Sequence, residues 1–107
     1  MILTNKYKII WSPKSYKDLQ NIYDHIAYYF KEKRIANNMT KKILNSILSL
    51  EYYPERYTSI VNYKDKIKKL RKLVVNKYVV IYEVNNATRQ VFILHIFHCN
   101  QNYLNKL

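Results

Sequence analysis

The chain contains no glycine in 107 residues. Every tight turn must therefore be made by a residue that carries a Cβ, and the many asparagines, with Asp and Lys, are the candidates. A Gly-rich phosphate loop is also excluded, whether a P-loop or a dinucleotide fingerprint, because both need glycine where the backbone meets the phosphates. The chain is not a nucleotide-fold enzyme. Two prolines, 12 Tyr, 3 Phe and 1 Trp, in a sequence 49% apolar, leave enough aromatic and aliphatic mass for a core. One domain spanning 1–107 fits this length.

Nineteen Lys and Arg against seven Asp and Glu give a formal charge of +12. A field of that size on a small domain attracts polyanions or an acidic protein. Cys99 is the single cysteine. It allows no internal disulfide and no Cys-rich zinc site, and it fits a reducing compartment. No stretch has the apolar length of a membrane span, and MILTNKYKIIW lacks a signal-peptide core. The expectation is a cytoplasmic protein with no membrane partner and no cofactor.

Periodicity orders the elements. Tyr7 to Trp11 reads as a short strand. Ser12-Pro13 marks a helix start, with Ser as N-cap and Pro in the first turn. Tyr16, Leu19, Ile22, Tyr23, Ile26, Tyr29 and Phe30 then form one apolar stripe, with Lys14, Lys17, Asp18, Gln20, Asn21 and Asp24 turned outward. After the polar link 31–34, a second helix from about Ile35 to Tyr52 has Ala36, Met39, Ile43, Ile47 and Leu50 on one face, broadened by Leu44 and Leu48. Pro54 stops it. Three strands follow, about Lys66 to Val75, Tyr78 to Val84 and Val91 to His98, with Asn76-Lys77 as a two-residue hairpin turn. Strand, two-helix hairpin, then a three-stranded antiparallel sheet is an α+β fold with the helices packed on one sheet face.

The segment Lys64–Lys77 holds seven cations and one acid, half of the net charge. Edge strands use lysine against aggregation, but one or two suffice for that. A dense run on a sheet, with tyrosines at 57, 63 and 78 nearby, suits phosphate binding. The few carboxylates are scattered, so two-metal chemistry is not expected, and no histidine pair has a third ligand for a metal site. Metal-free RNA cleavage needs a proton acceptor, a donor and cations around the phosphate. His98 has a suitable titration range, Arg71 could hold a phosphate bidentately, Lys66, Lys68, Lys69 and Lys72 could add field, and Tyr103 could stack a base or donate a proton. The structural alternative stays open for His98, which by alternation shares a face with Phe92, Leu94 and Ile96. His95 and His25 read as structural or surface residues, and Tyr78 and Tyr82 as core or sheet surface.

Several segments together resemble the RelE/ParE superfamily of type II toxin–antitoxin toxins. They are YKIIWSPKSYKDLQNIYDHIAYY with Asp18-Leu19, ILNSILSLEYYPERY with Pro54, and VFILHIFHCNQNY. KLRKLVVNKYVVIYEV adds an Arg-x-Leu-x-Val … Tyr-x-x-x-Tyr-x-Val pattern through Arg71, Leu73, Val75, Tyr78, Tyr82 and Val84. The resemblance implies a small basic toxin, held inactive by an acidic antitoxin that wraps over it. It implies one of two targets: mRNA on the ribosome, cleaved without a metal, or DNA gyrase, inhibited without catalysis. In the cleaving branch Arg71 would bind phosphate, with His98 and Tyr103 in the C-terminal active region. Three departures stand out. Val79 and His95 occupy positions where arginine is common, and Cys99-Asn100-Gln101-Asn102 replaces basic residues after the histidine. The first reading is mRNA cleavage; gyrase inhibition and a plain basic nucleic-acid-binding module are the alternatives.

Overall fold

The computed structural model describes residues 6–60 and 70–100. The elements are β1 (Lys8–Trp11), α1 (Pro13–Phe30), α2 (Lys33–Leu48), 3-10 turns at Ser49–Glu51 and Pro54–Arg56, β2 (Leu70–Val75), β3 (Tyr78–Asn85) and β4 (Gln90–His98). This is the expected α+β order. The first strand also joins the sheet, whose order is β1-β4-β3-β2. β1 runs parallel to β4, and the other pairs are antiparallel.

Ser12 starts α1 as its composition suggests: its Oγ accepts the Ser15 N–H at 3.0 Å, and Pro13 occupies the first turn. The α2 stripe is also as expected, with Ala36, Ile43, Ile47 and, just beyond the helix, Leu50 fully buried. They pack with Ile26, Leu73, Val75, Tyr78, Val80, Tyr82, Val91, Ile93 and Ile96 in the main core between helices and sheet. A second, smaller cluster, Leu70, Val79, Ile81 and Phe97, lies on the other sheet face with Ile60 and Leu94 against it.

Two readings of side-chain direction are corrected. Along β4, Tyr82 pairs with Ile93 but Ile81 pairs with His95, so Leu94 is an extra, bulged residue. A bulge re-phases alternation. His98 therefore shares its face with Ile96, Ile93 and Val91, whereas Phe92 and Leu94 face away. On α1, Tyr16, Tyr29 and Phe30 are exposed, while Ser15, Asp18 and Ile26 are buried. The middle of the expected stripe, Leu19, Ile22, Tyr23 and Ile26, does pack on the core, and its ends do not. Ser15 and Asp18 are buried where the helix meets a sheet edge that needs polar partners. β1 ends at Trp11, leaving the last part of β4 without a neighbour strand on that side. The Ser12 N–H bonds Ile93 O at 3.0 Å, its Oγ donates to Leu94 O at 3.0 Å, and Asp18 Oδ2 accepts the Ile96 N–H at 3.0 Å. Asp18, 7% exposed, also pairs with Lys14 one turn back.

The opposite edge is closed by main chain. The Lys72 N–H donates to Thr58 O at 3.0 Å and the Ile60 N–H to Leu70 O at 2.8 Å, so residues 58–60 run beside β2 as a short extra partner. No described helix is long and apolar enough to cross a membrane.

Candidate functional surface

Arg71 sits on β2 opposite Tyr82, half-buried. Its Nη1 donates to Glu55 O at 2.9 Å and Tyr57 O at 2.7 Å, and Nη2 lies 3.7 Å from Glu55 Oε2. Beside it the Tyr82 hydroxyl donates to Pro54 O at 2.6 Å. Burial pushes the Tyr82 pKa up to about 12, with the Arg71 charge pulling the other way. Arg56 grips the same loop from outside, donating to Tyr52 O at 2.6 Å and Ser49 Oγ at 2.8 Å while lying over the Tyr57 ring. Arg71, which could hold a phosphate, thus uses Nη1 to tie down the loop 54–57.

His98 ends β4, opposite Tyr78, whose ring it meets edge-on with centroids 5.4 Å apart. Its Nδ1 accepts the Asn100 N–H at 3.1 Å, which puts the proton of the neutral ring on Nε2. Arg71 and His98 do not converge. They are aligned with Tyr82 and Tyr78 on β3, four residues apart, which is roughly 13 Å along the strand. Lys72 is half-buried on β2. Lys66, Lys68, Lys69, Tyr63 and Tyr103 lie outside the described residues. Among the described residues no three His, Cys, Asp or Glu side chains are grouped as metal ligands.

The two positions where arginine is common carry no cation at neutral pH. Val79 is 3% exposed in the smaller apolar cluster. His95 stacks on Phe97 with centroids 5.3 Å apart, and its Nδ1 is buried without a hydrogen-bond partner. Burial pushes the His95 imidazole below the usual histidine range; Asp18 raises it and Lys14 lowers it by smaller amounts. The unfolded chain takes up this proton more readily than the folded one. Stability held above the ordinary histidine value, about 6.5, is therefore lost as pH falls through the lower folded value. Between about pH 7.5 and about pH 5 the wild type should lose more melting temperature than a His95→Leu variant. Parallel losses in the two proteins would refute this.

Sequence reasoning missed a cleft along α1. A 470 Å³ recess lined by Lys14, Asn21, His25 and Ile96, and a 660 Å³ recess lined by Ile26, Tyr29, Phe30, Ile35 and Met39, share His25, Tyr78 and His98. The only hint was the width of the α1 stripe, too broad for one helix to bury entirely.

Residues 9–103 match the family model described as the ParE toxin of the type II toxin–antitoxin system parDE. This chain belongs to the ParE toxin family. The toxin's fold is similar to that in the chromosomal ParDE system from P. aeruginosa, with TM-score 0.71 and 18% identity over 89% of this chain and 98% of that one. It is also similar to the archaeal RelE–RelB complex from Pyrococcus horikoshii OT3, with TM-score 0.63 and 21% identity over 90% of this chain and 98% of that one. A mutant of the E. coli toxin RelE in the free state matches with TM-score 0.66 and 10% identity over 94% of this chain and 92% of that one. Among curated protein sequences none matches this chain.

Proposed function

We propose that this toxin acts by binding: it inhibits DNA gyrase without catalysis, and an acidic antitoxin neutralises it. The observation that carries the reading is the fate of Arg71. Its Nη1 bonds two loop carbonyls, its Nη2 lies beside the Glu55 carboxylate, and His98 is a long way along the sheet from it. A metal-free nuclease needs its phosphate clamp and its proton-transfer group around one phosphate. Val79 and the neutral His95 support the same conclusion, since an arginine serving a substrate would have to reach solvent. An antitoxin partner follows from the +12 charge and from the partners in the ParDE and RelE–RelB structures.

mRNA cleavage is the second reading, favoured by the lysine density between 64 and 77. Controlled expression in a bacterial host with pulse labelling separates the two. The expected result is that DNA synthesis stops first and that the purified toxin inhibits plasmid supercoiling by gyrase. Early loss of protein synthesis with cut mRNA, relieved by His98→Ala, would overturn it.

A further inference from the structure

The floor of the cleft along α1 is core, with Ile26, Tyr78 and Ile96, but its rim is not packed against anything in the fold. Tyr29 and Phe30 are 69% and 62% exposed at its rim, and Tyr28 beside them is more exposed still. The rings form a continuous surface: His25 and Tyr29 centroids lie 4.6 Å apart, and Tyr28 meets Tyr29 edge-on at 6.2 Å. Exposed apolar surface of this kind, bordered by polar groups, marks an interaction site.

We infer that this cleft docks an amphipathic, acidic helical segment of the toxin's target. The inference rests on the binding mode of action proposed above, since a toxin that acts by binding needs a recognition surface. The charge of the lining selects the partner's sign. Among the described lining residues Asp18 is the single carboxylate, already engaged by Lys14 and the Ile96 N–H, while Lys77 stands exposed at the other end. A second copy of the toxin, itself at +12, is repelled.

The shape selects the partner's form. From Lys14 to Tyr29 the axis of α1 rises about 22 Å, the length of about fifteen helical residues. The larger recess has an apolar wall of Ile26, Tyr29, Phe30, Ile35 and Met39 and a polar wall of His25, Asn76, Lys77 and His98. An amphipathic helix matches both at once, with apolar anchors one turn apart on the first and polar residues toward the second. The anchors fill the Tyr29–Phe30–Met39 end, and acidic residues on the flank face Lys77.

The test uses the toxin chain, gyrase holoenzyme with relaxed plasmid, and a cognate antitoxin. A Tyr29→Glu, Phe30→Glu double variant is expected to inhibit supercoiling at least tenfold less well. It should melt within a few degrees of the wild type, because both side chains are largely solvated. Lys77→Glu, an exposed substitution that leaves the aromatic surface intact, should weaken inhibition in the same direction. Loss of antitoxin capture alongside weakened inhibition also supports the inference, with the antitoxin covering the same surface. Wild-type inhibition by both variants overturns it while leaving the gyrase reading intact. So does loss of antitoxin capture with inhibition unchanged, which gives the cleft to the antitoxin. A wild-type toxin that leaves gyrase untouched overturns the gyrase reading itself, and this inference with it.

Discussion

Replacing Asp18 with alanine is expected to destabilise the fold by about 3 kcal/mol, because it strands a buried main-chain donor and a charged partner at once. Asp18 is nearly inaccessible and takes the place that a neighbouring strand would occupy beside Ile96. Alanine takes the acceptor from the Ile96 N–H, which then lies in the wall of the recess beside Lys14, Asn21 and His25. For a domain of this size, that loss lowers Tm by on the order of 10–20 °C. Asp18→Asn keeps an acceptor and should recover part of the difference. Lys14→Ala, whose side chain is more than half exposed, should cost below about 1 kcal/mol. Urea and thermal unfolding of the three variants rank these effects. If Lys14→Ala proves as damaging as Asp18→Ala, the ion pair rather than the strand edge is what matters.

Arg71→Ala should lower stability by about 2–3 kcal/mol with no nucleic acid or partner present, since two carbonyls lose a charged donor. The Glu55 carboxylate is half exposed at 3.7 Å and adds little to that figure. Arg71→Lys should fall between, because the ammonium keeps a charge and donors but not the planar group whose Nη1 meets Glu55 O and Tyr57 O while Nη2 lies beside the Glu55 carboxylate. Any loss of growth arrest in these variants should then follow the amount of folded toxin in the cell. An Arg71→Ala protein that melts like the wild type yet has lost all toxicity would reassign the side chain to substrate or target.

What could be read ahead of the structure was local. Ser12-Pro13 carries its helix start in two residues, the Ala36–Ile43–Ile47 stripe repeats with the helix period, and Asn76-Lys77 has hairpin spacing. The misread features depend on what is absent nearby or present far along the chain. Asp18 looked like a solvent-facing acid because nothing local says that β1 stops at Trp11 and leaves β4 uncovered. The Leu94 bulge reverses the expected neighbours of His98, and a bulge has no strict composition. Arg71 meets Glu55 across 16 positions, a contact that periodicity cannot reveal. The exposed Tyr29 and Phe30 are the informative failure, since they match the helical pattern of a core and serve a surface instead.

The missing glycine has a consequence for the sequence of events in folding. Lys31, Tyr53, Asn76 and Arg89 all hold a left-handed backbone, at the end of α1, before Pro54 and in the two hairpins. For residues other than Asn each such position costs about 1–2 kcal/mol locally. A chain without glycine also has a less flexible unfolded state, which offsets part of that cost. Such turns do not nucleate structure on their own. They hold only when the elements on either side are packed, so the connections form with the core rather than ahead of it. The bends of this toxin are made by its core.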